Sequence, residues 1–170
     1  PLLLTLYFVT MEVAQGIEGN KRVCRVASMV ADLVTQQPTV TKDELQSIMQ
    51  IGNAIVYPYN RSIPVIEVTG IQIEDKENPK AFVEWSRRMT NNTFSSGTPK
   101  KNEVSIPEKL LIRGTFLVRV STGLEYRPVI AWAAEEKAGM GLVGAFDKIP
   151  MEETYYLRPR MSNAIACTGC

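Results

Sequence analysis

Apolar residues recur with helical spacing between residues 20 and 52. The first part of this stretch carries an apolar face formed by Val23, Val26, Ala27, Val30, Ala31 and Val34. Pro38 is expected to end that helix, because proline cannot continue the backbone hydrogen-bond ladder. Thr41 and Glu44 then have the spacing of a capping box, which begins a second helix that Gly52 is expected to end. The pattern therefore predicts a two-helix hairpin over 20–52.

The chain before this hairpin is dominated by Leu, Tyr, Phe, Val and Thr. This composition predicts a strand over residues 1–13, closed by Gly16 and Gly19. The apolar run is too short to span a bilayer and lacks the flanks of a secretory signal peptide. Since the sequence begins at Pro1 rather than at methionine, we expect a further segment to precede it.

Alternation of apolar and polar residues dominates the second half of the chain. It predicts antiparallel strands within 65–134, at Val65–Glu74, Ala81–Ser86 and Leu110–Ser121, with a hairpin partner at Tyr126–Ala134. Gly70 interrupts the first of these strands, which indicates a β-bulge. The polar, aperiodic stretch 87–108 is predicted to be a long loop, and residues 135–170 an irregular tail.

The order of these elements indicates the fold class. One strand, two helices and a run of strands predict an α+β fold, in which an antiparallel β-sheet packs against the two-helix hairpin. The length of 170 residues and the lack of a linker-like stretch predict a single domain over 1–170 with a long polar loop and an irregular C-terminal tail.

Composition argues against most catalytic sites. The sequence contains no histidine, which removes Ser-His-Asp and Cys-His catalysis and imidazole-dependent zinc sites. Its three cysteines are too few for a four-cysteine zinc site, and an odd number indicates a reducing compartment. Cys167 and Cys170 are interpreted as two thiols on a loose tail. We therefore expect no catalytic residues, no metal, no cofactor and no enzymatic activity.

Charge is distributed unevenly along the chain. The formal net charge is only +1, but nine basic and four acidic residues lie in 76–119, so the remainder carries a net charge of −4. Such a polarised surface suits anionic lipid, RNA phosphates or an acidic face of another copy, although an ordinary solvated loop gives the same count. The candidate membrane or nucleocapsid contacts are Lys21, Arg22, Arg25, Arg87, Arg88, Lys100 and Lys101.

A glycine-rich stretch at 139–144 carries large apolar residues. It follows a predicted hairpin and lacks the Gly-Lys-Ser/Thr of a phosphate-binding loop, which argues against nucleotide binding. Apolar side chains in such a loop suit insertion into a membrane or a subunit interface, or they cover an edge of the sheet. The candidate apolar contacts are Met140, Leu142, Val143 and Phe146.

Several segments in this order are similar to a known family. They are the predicted strand Leu4–Val13, the basic-started helix Lys21–Val30, the aromatic strand end Phe82–Trp85, and Arg113–Ser121 followed by Arg127–Trp132. Together they resemble the folded core of a rhabdovirus matrix protein of the plant-infecting type. The basic N-terminal tail and Pro-Pro-x-Tyr budding motif usual in that family are not in this sequence.

The resemblance implies a non-enzymatic viral matrix protein, which self-assembles under the envelope, binds anionic membrane and condenses the nucleocapsid for assembly and budding. The implied partners are further copies of the chain, viral nucleoprotein–RNA, anionic lipid membrane and a viral glycoprotein. The implied location is the inner face of the virion envelope, and the cytoplasm, inner membrane leaflet and nucleus of the host cell. The alternative is a viral coat or nucleocapsid-type protein that binds RNA directly through the basic loop.

Overall fold

In a computed structural model of the protein, two helices pack on one face of an antiparallel sheet. The structure describes residues 2–56, 64–126 and 149–170. The predicted α+β class is confirmed. The helices are α1 (Leu2–Thr35) and α2 (Lys42–Val56), with a short 3-10 helix at Glu108–Leu110. The strands are β1 (Thr39–Thr41), β2 (Val65–Ile73), β3 (Ala81–Thr90), β4 (Thr93–Ser96), β5 (Phe116–Tyr126), β6 (Ile149–Leu157) and β7 (Ala166–Thr168).

The predicted start of α2 is confirmed at atomic detail. The Thr41 backbone amide donates to Glu44 Oε2 at 2.8 Å, and the Glu44 amide donates to Thr41 Oγ1 at 3.3 Å. Each side chain thus satisfies an amide that the helix leaves without an intrahelical acceptor. The predicted stop at Gly52 is wrong, because this glycine lies inside α2. A Cβ there would lie only 3.0 Å from side-chain atoms of Val26 and Val30, so glycine permits close packing of the two helices.

The predicted strand over 1–13 is wrong, because α1 begins at Leu2 and continues without interruption to Thr35. A strand needs a neighbouring strand to supply hydrogen-bond partners for its backbone N–H and C=O groups, whereas a helix forms these hydrogen bonds within itself. Gly16 and Gly19, expected to end the strand, lie within α1 and face Tyr126 and Met151. The predicted apolar face of the first helix is confirmed, since Val23, Val26, Ala27, Val30, Ala31 and Val34 are fully buried.

The main sheet has the strand order β4-β3-β2-β5-β6, and all its neighbours are antiparallel. A bulge lies beside Gly70, but it is in β3 rather than in β2 as predicted: Gly70 pairs with Trp85 while Ile71 pairs with Val83, so Glu84 is the extra residue. The helices cover the face that carries Trp85, and loop residues cover a smaller cluster on the opposite face. That cluster contains Ile71, Ile73, Ala81 and Leu117.

The predicted loop over 87–108 is partly wrong. Strand β3 continues to Thr90, turns at Asn91 and Asn92, which both have positive φ, and returns as β4. Strand β5 begins at Phe116 rather than at Leu110, and it continues beyond the predicted end at Ser121 to Tyr126. Beyond Tyr126 the predicted hairpin partner lies outside the described residues.

The irregular tail predicted over 135–170 is also wrong in its described part. Strand β6 pairs along β5, from Tyr126 with Ile149 to Val118 with Leu157. Strand β7 pairs in parallel with β1, placing Cys167 opposite Val40. Cys167 and Cys170 are joined by a disulfide, so the interpretation as two thiols on a loose tail is wrong as well. Both strands depend on partners that are distant in sequence.

Candidate functional site

The first half of α1 is the most unusual surface of the described structure. We call residues 2–17 the apolar arm; Glu12 is its single charged residue. The exposed fraction of its large apolar side chains runs from 44% at Met11 to 82% at Leu3. These side chains are Leu2, Leu3, Leu4, Leu6, Tyr7, Phe8, Val9, Met11, Val13 and Ile17. Exposed apolar residues on every side of a helix mark a surface that meets a partner or a membrane.

The apolar arm is anchored to the domain at its C-terminal end. The Tyr126 hydroxyl, at the end of β5, donates to Glu12 Oε1 at 2.9 Å. Positions 16 and 19 of α1 approach the Tyr126 ring, and position 19 also approaches Met151. Every described residue before Glu12 is exposed, so the arm projects past the end of the sheet that Tyr126 and Ile149 form.

Two of the predicted basic contacts follow the arm on the same helix. Lys21 and Arg25 are exposed, lie four residues apart, and continue the helical face that carries Leu3 and Tyr7. Neither makes an ion pair with a described residue. Arg22 is different: its Nε lies 3.3 Å from Glu18 Oε1, and its Nη1 donates to the Ile55 carbonyl, tying α1 to α2. Lys21 and Arg25 thus place positive charge next to the apolar arm.

Arg87 and Arg88 lie on opposite faces of β3. Arg87 faces the helix side, where its Nη2 donates to the Gly169 carbonyl at 2.9 Å. Arg88 faces the other side, where its Nε lies 3.8 Å from Glu67 Oε2. Adjacent residues of a strand point apart, so these two cations do not form one binding surface.

Of the two remaining basic residues of the predicted loop, only Lys100 forms an ion pair with a described carboxylate. Lys100 Nζ lies 3.3 Å from Glu84 Oε2, and the Lys101 amide donates to the Val83 carbonyl while its side chain is exposed. Of the nine basic residues in 76–119, five are ion-paired with described carboxylates: Lys76, Lys80, Arg88, Lys100 and Arg113. Three of these pairs, those of Lys76, Arg88 and Arg113, use carboxylates outside 76–119, so they offset part of the local positive excess counted from the sequence.

The predicted basic residues therefore occupy three separate places rather than one site. Lys21, Arg22 and Arg25 lie on α1, Arg87 and Arg88 on β3, and Lys100 and Lys101 beside the first half of β3, in the segment that hydrogen-bonds to its edge. The predicted apolar contacts Met140, Leu142, Val143 and Phe146 lie outside the described residues. The sequence pattern predicts a strand over 1–13, so it does not indicate the exposed apolar arm. Its signal is a nearly continuous apolar run without period-two alternation.

A buried polar cluster fixes the loop after β4 to the sheet. Glu67 accepts hydrogen bonds from the Thr98 amide at 3.1 Å, the Thr98 hydroxyl at 2.7 Å and the Ser86 hydroxyl at 3.2 Å. Burial alone would raise the pKa of Glu67, but these hydrogen bonds and the nearby Arg88 guanidinium outweigh it and hold the pKa below its ordinary value. Every contact of this carboxylate is structural, which argues against a free general base here.

Concave regions on the described surface include a cavity at the edge of β3 and a groove across the sheet. A cavity of about 640 Å³ at the edge of β3 is lined by Trp85, the Glu84–Lys100 pair and the disulfide. A shallow groove of about 680 Å³ crosses the face opposite the helices. In the described part of the chain, no group of three His, Cys, Asp or Glu residues is placed to hold a metal ion. Neither α1 nor α2 has a stretch long and apolar enough to cross a membrane.

Comparisons with protein-family models, with curated proteins and with solved structures found no match to this chain.

Proposed function

We propose that this chain is a non-enzymatic, self-assembling structural protein of the matrix type, which binds an anionic membrane and condenses nucleoprotein beneath it. The observation that supports this proposal is the apolar arm, with ten large apolar side chains exposed and, beside it, two cations that form no ion pair with a described residue. The apolar surface of the arm and the adjacent charge are the two signals that together give reversible membrane attachment.

The arm has enough apolar surface to drive such binding. A large aliphatic or aromatic side chain contributes about 1.5–3 kcal/mol when it is transferred completely from water. Ten side chains that are about half to four-fifths exposed thus offer on the order of 10 kcal/mol, before the cost of association is subtracted. Lys21 and Arg25 each add about 1 kcal/mol near an anionic surface.

The order of residues along α1 places apolar surface and charge side by side. Lys21 and Arg25 follow the arm on the same helix. When residues 2–17 insert into a membrane, these two cations therefore lie near the headgroups. Assembly of many copies then multiplies this contact, since linked weak sites bind far more tightly than one.

Co-sedimentation with vesicles tests the proposal. We expect the protein to bind phosphatidylserine–phosphatidylcholine vesicles more tightly than phosphatidylcholine alone. Leu4→Glu with Phe8→Glu should reduce the affinity at least about tenfold on both, because charged side chains are excluded from hydrocarbon. Lys21→Glu with Arg25→Glu should reduce it by about tenfold or more on the anionic vesicles only. All four positions are exposed, so the fold should persist in both variants.

Lys100→Glu with Lys101→Glu is the matched charge control. The sequence alone predicts that this pair weakens lipid binding. Because Lys100 is already paired with Glu84, and both residues lie away from the arm, we now expect less than about a threefold effect. Equal sedimentation of the arm variant and the unaltered protein would contradict the proposal. Tight, steeply salt-dependent binding to single-stranded RNA, lost in the Lys100/Lys101 variant, would favour the coat-protein alternative.

A further inference from the structure

The disulfide between Cys167 and Cys170 lies at an accessible edge of the fold. Cys167 belongs to β7 and is half-buried, while Cys170 follows the turn at Gly169 and is exposed. Gly169 has φ +78°, a left-handed conformation that favours glycine. Arg87 donates to the Gly169 carbonyl, so one guanidinium holds the turn that joins the two sulfurs.

This disulfide is poorly suited to stabilise the fold. It links residues only three apart, and closing so short a loop removes little conformational entropy from the unfolded chain. Strand β7 is already held by its parallel ladder with β1, in which Cys167 lies opposite Val40. A role other than cross-linking distant parts of the chain is therefore favoured.

The surroundings of the pair suit thiol chemistry. Both cysteines line the cavity of about 640 Å³, which has room for a small thiol and opens beside Lys100. The Arg87 guanidinium is bound to the turn between the two cysteines, where it donates to the Gly169 carbonyl. A cation held at this turn favours the thiolate form in which a cysteine reacts or leaves.

Cys24 provides a contrast within the same chain. Its Sγ donates to Glu153 Oε2 at 3.6 Å. Burial raises the pKa of this thiol, and the Glu153 carboxylate raises it further, so Cys24 is held as an unreactive thiol. Reactivity should therefore differ sharply between Cys24 and the C-terminal pair.

We propose that Cys167 and Cys170 form a redox-active disulfide that exchanges with small-molecule thiols, and that Cys170 is the sulfur attacked. The thiolate of the first small thiol forms a bond to Cys170 Sγ as the Cys167–Cys170 bond breaks, and Cys167 leaves as a thiolate that takes a proton from water. The thiolate of a second small thiol then attacks the small-molecule sulfur of the mixed disulfide. A small-molecule disulfide forms as the bond to Cys170 Sγ breaks, and Cys170 leaves as a thiolate that takes a proton from water. In the net reaction, two small-molecule thiols are oxidised to one small-molecule disulfide, and the Cys167–Cys170 disulfide is reduced to two cysteine thiols.

The test uses the full chain with Cys24→Ser, so that Cys167 and Cys170 are the only cysteines that can be alkylated. Equilibration in glutathione buffers of graded ratio, followed by alkylation and mass measurement, should show a two-electron transition within the buffered range. Gly169→Ala should shift the midpoint about fivefold towards the reduced form, because alanine is strained at positive φ and reduction frees the turn. A pair that stays fully oxidised or fully reduced at every ratio would overturn the proposal.

Single-cysteine variants test which sulfur is attacked. With Cys24 replaced, Cys167→Ser leaves only Cys170, and Cys170→Ser leaves only Cys167. We expect Cys170 to form a mixed disulfide with glutathione disulfide at least about tenfold faster than Cys167, because Cys170 is the more exposed. The matched control keeps Cys24 and replaces both of the others, and it should react more slowly still. Equal rates in all three variants would contradict the assignment.

Discussion

Gly70→Ala tests the packing at the bulge between β2 and β3. A Cβ on Gly70 would overlap the Trp85 indole and come within 2.8 Å of Phe116 Cζ. Both rings are almost fully buried, and the indole Nε1 donates to the Ile165 carbonyl at 2.7 Å. The added methyl group therefore forces a buried aromatic side chain to move and strains the hydrogen bond that ties the C-terminal segment to β3.

The expected cost is the sum of two effects. Overpacking a buried site costs about 1–3 kcal/mol, and a weakened buried hydrogen bond costs about 1 kcal/mol more. We therefore expect Gly70→Ala to lower the free energy of unfolding by about 2–4 kcal/mol, and the Tm by roughly 5–15 °C for a chain of this size. Urea unfolding followed by circular dichroism measures the first quantity, and a thermal scan measures the second.

Gly123→Ala is the matched control for this substitution. A Cβ at Gly123 would meet Glu152 Cγ at 3.5 Å, an ordinary contact, so its effect should stay within about 0.5 kcal/mol. Repeating Gly70→Ala in a Trp85→Phe background should remove at least about 1 kcal/mol of the penalty, because the smaller ring vacates the space. An unchanged penalty in that background, or a Gly70→Ala protein as stable as the original, would refute the overlap with Trp85.

Three further substitutions test local features of the fold by the same unfolding measurements. Thr41→Ala removes the N-terminal cap of α2 and should cost about 1 kcal/mol, whereas no loss would contradict the capping role. Asn92→Ala should cost about 1 kcal/mol, because φ is +58° there and the hydrogen bond from Asn53 is lost; an unchanged stability would argue against this turn. The folded pKa of Glu67 is lowered, so its stabilising contribution is present above the unfolded pKa of about 4.3 and is lost as pH falls through the folded pKa. Glu67→Gln should therefore lose less stability than the original protein when the pH falls below about 4.3, and parallel pH profiles would contradict this.

Elements that depend on local signals could be predicted from the sequence. The start of α2 depends on a hydrogen-bond exchange between Thr41 and Glu44, three residues apart, and the spacing alone predicts it. Gly70 is also a local signal, since a glycine inside a strand marks a bulge or a close approach of another group. Here it leaves room for the Trp85 ring, but the extra residue, Glu84, lies in the neighbouring strand β3, so the sequence indicates the place and not the strand that bulges.

Elements that depend on distant partners could not be predicted in the same way. Strand β6 contains Pro150, Glu152 and Glu153, which are unfavourable in strands, and it forms because β5 offers a complete ladder at the sheet edge. The apolar arm illustrates the opposite case. Its Leu, Phe and Val residues suit a strand as well as a helix, but the described structure gives residues 2–13 no strand to pair with. A helix forms the backbone hydrogen bonds within the segment itself, so residues 2–13 form a helix rather than a strand.

The placement of charge, rather than its amount, determines which surface attracts an anionic partner. The excess in 76–119 is offset by carboxylates outside that segment, since Glu67, Glu74 and Asp75 pair with Arg88, Lys76 and Arg113. These pairs are mostly exposed and add little stability, yet they still cancel much of the field that a distant phosphate or lipid would meet. Lys21 and Arg25 have no such partner among the described residues, and they adjoin the apolar arm. A chain with a net charge of only +1 can therefore combine electrostatic attraction and apolar insertion at one end of a single helix.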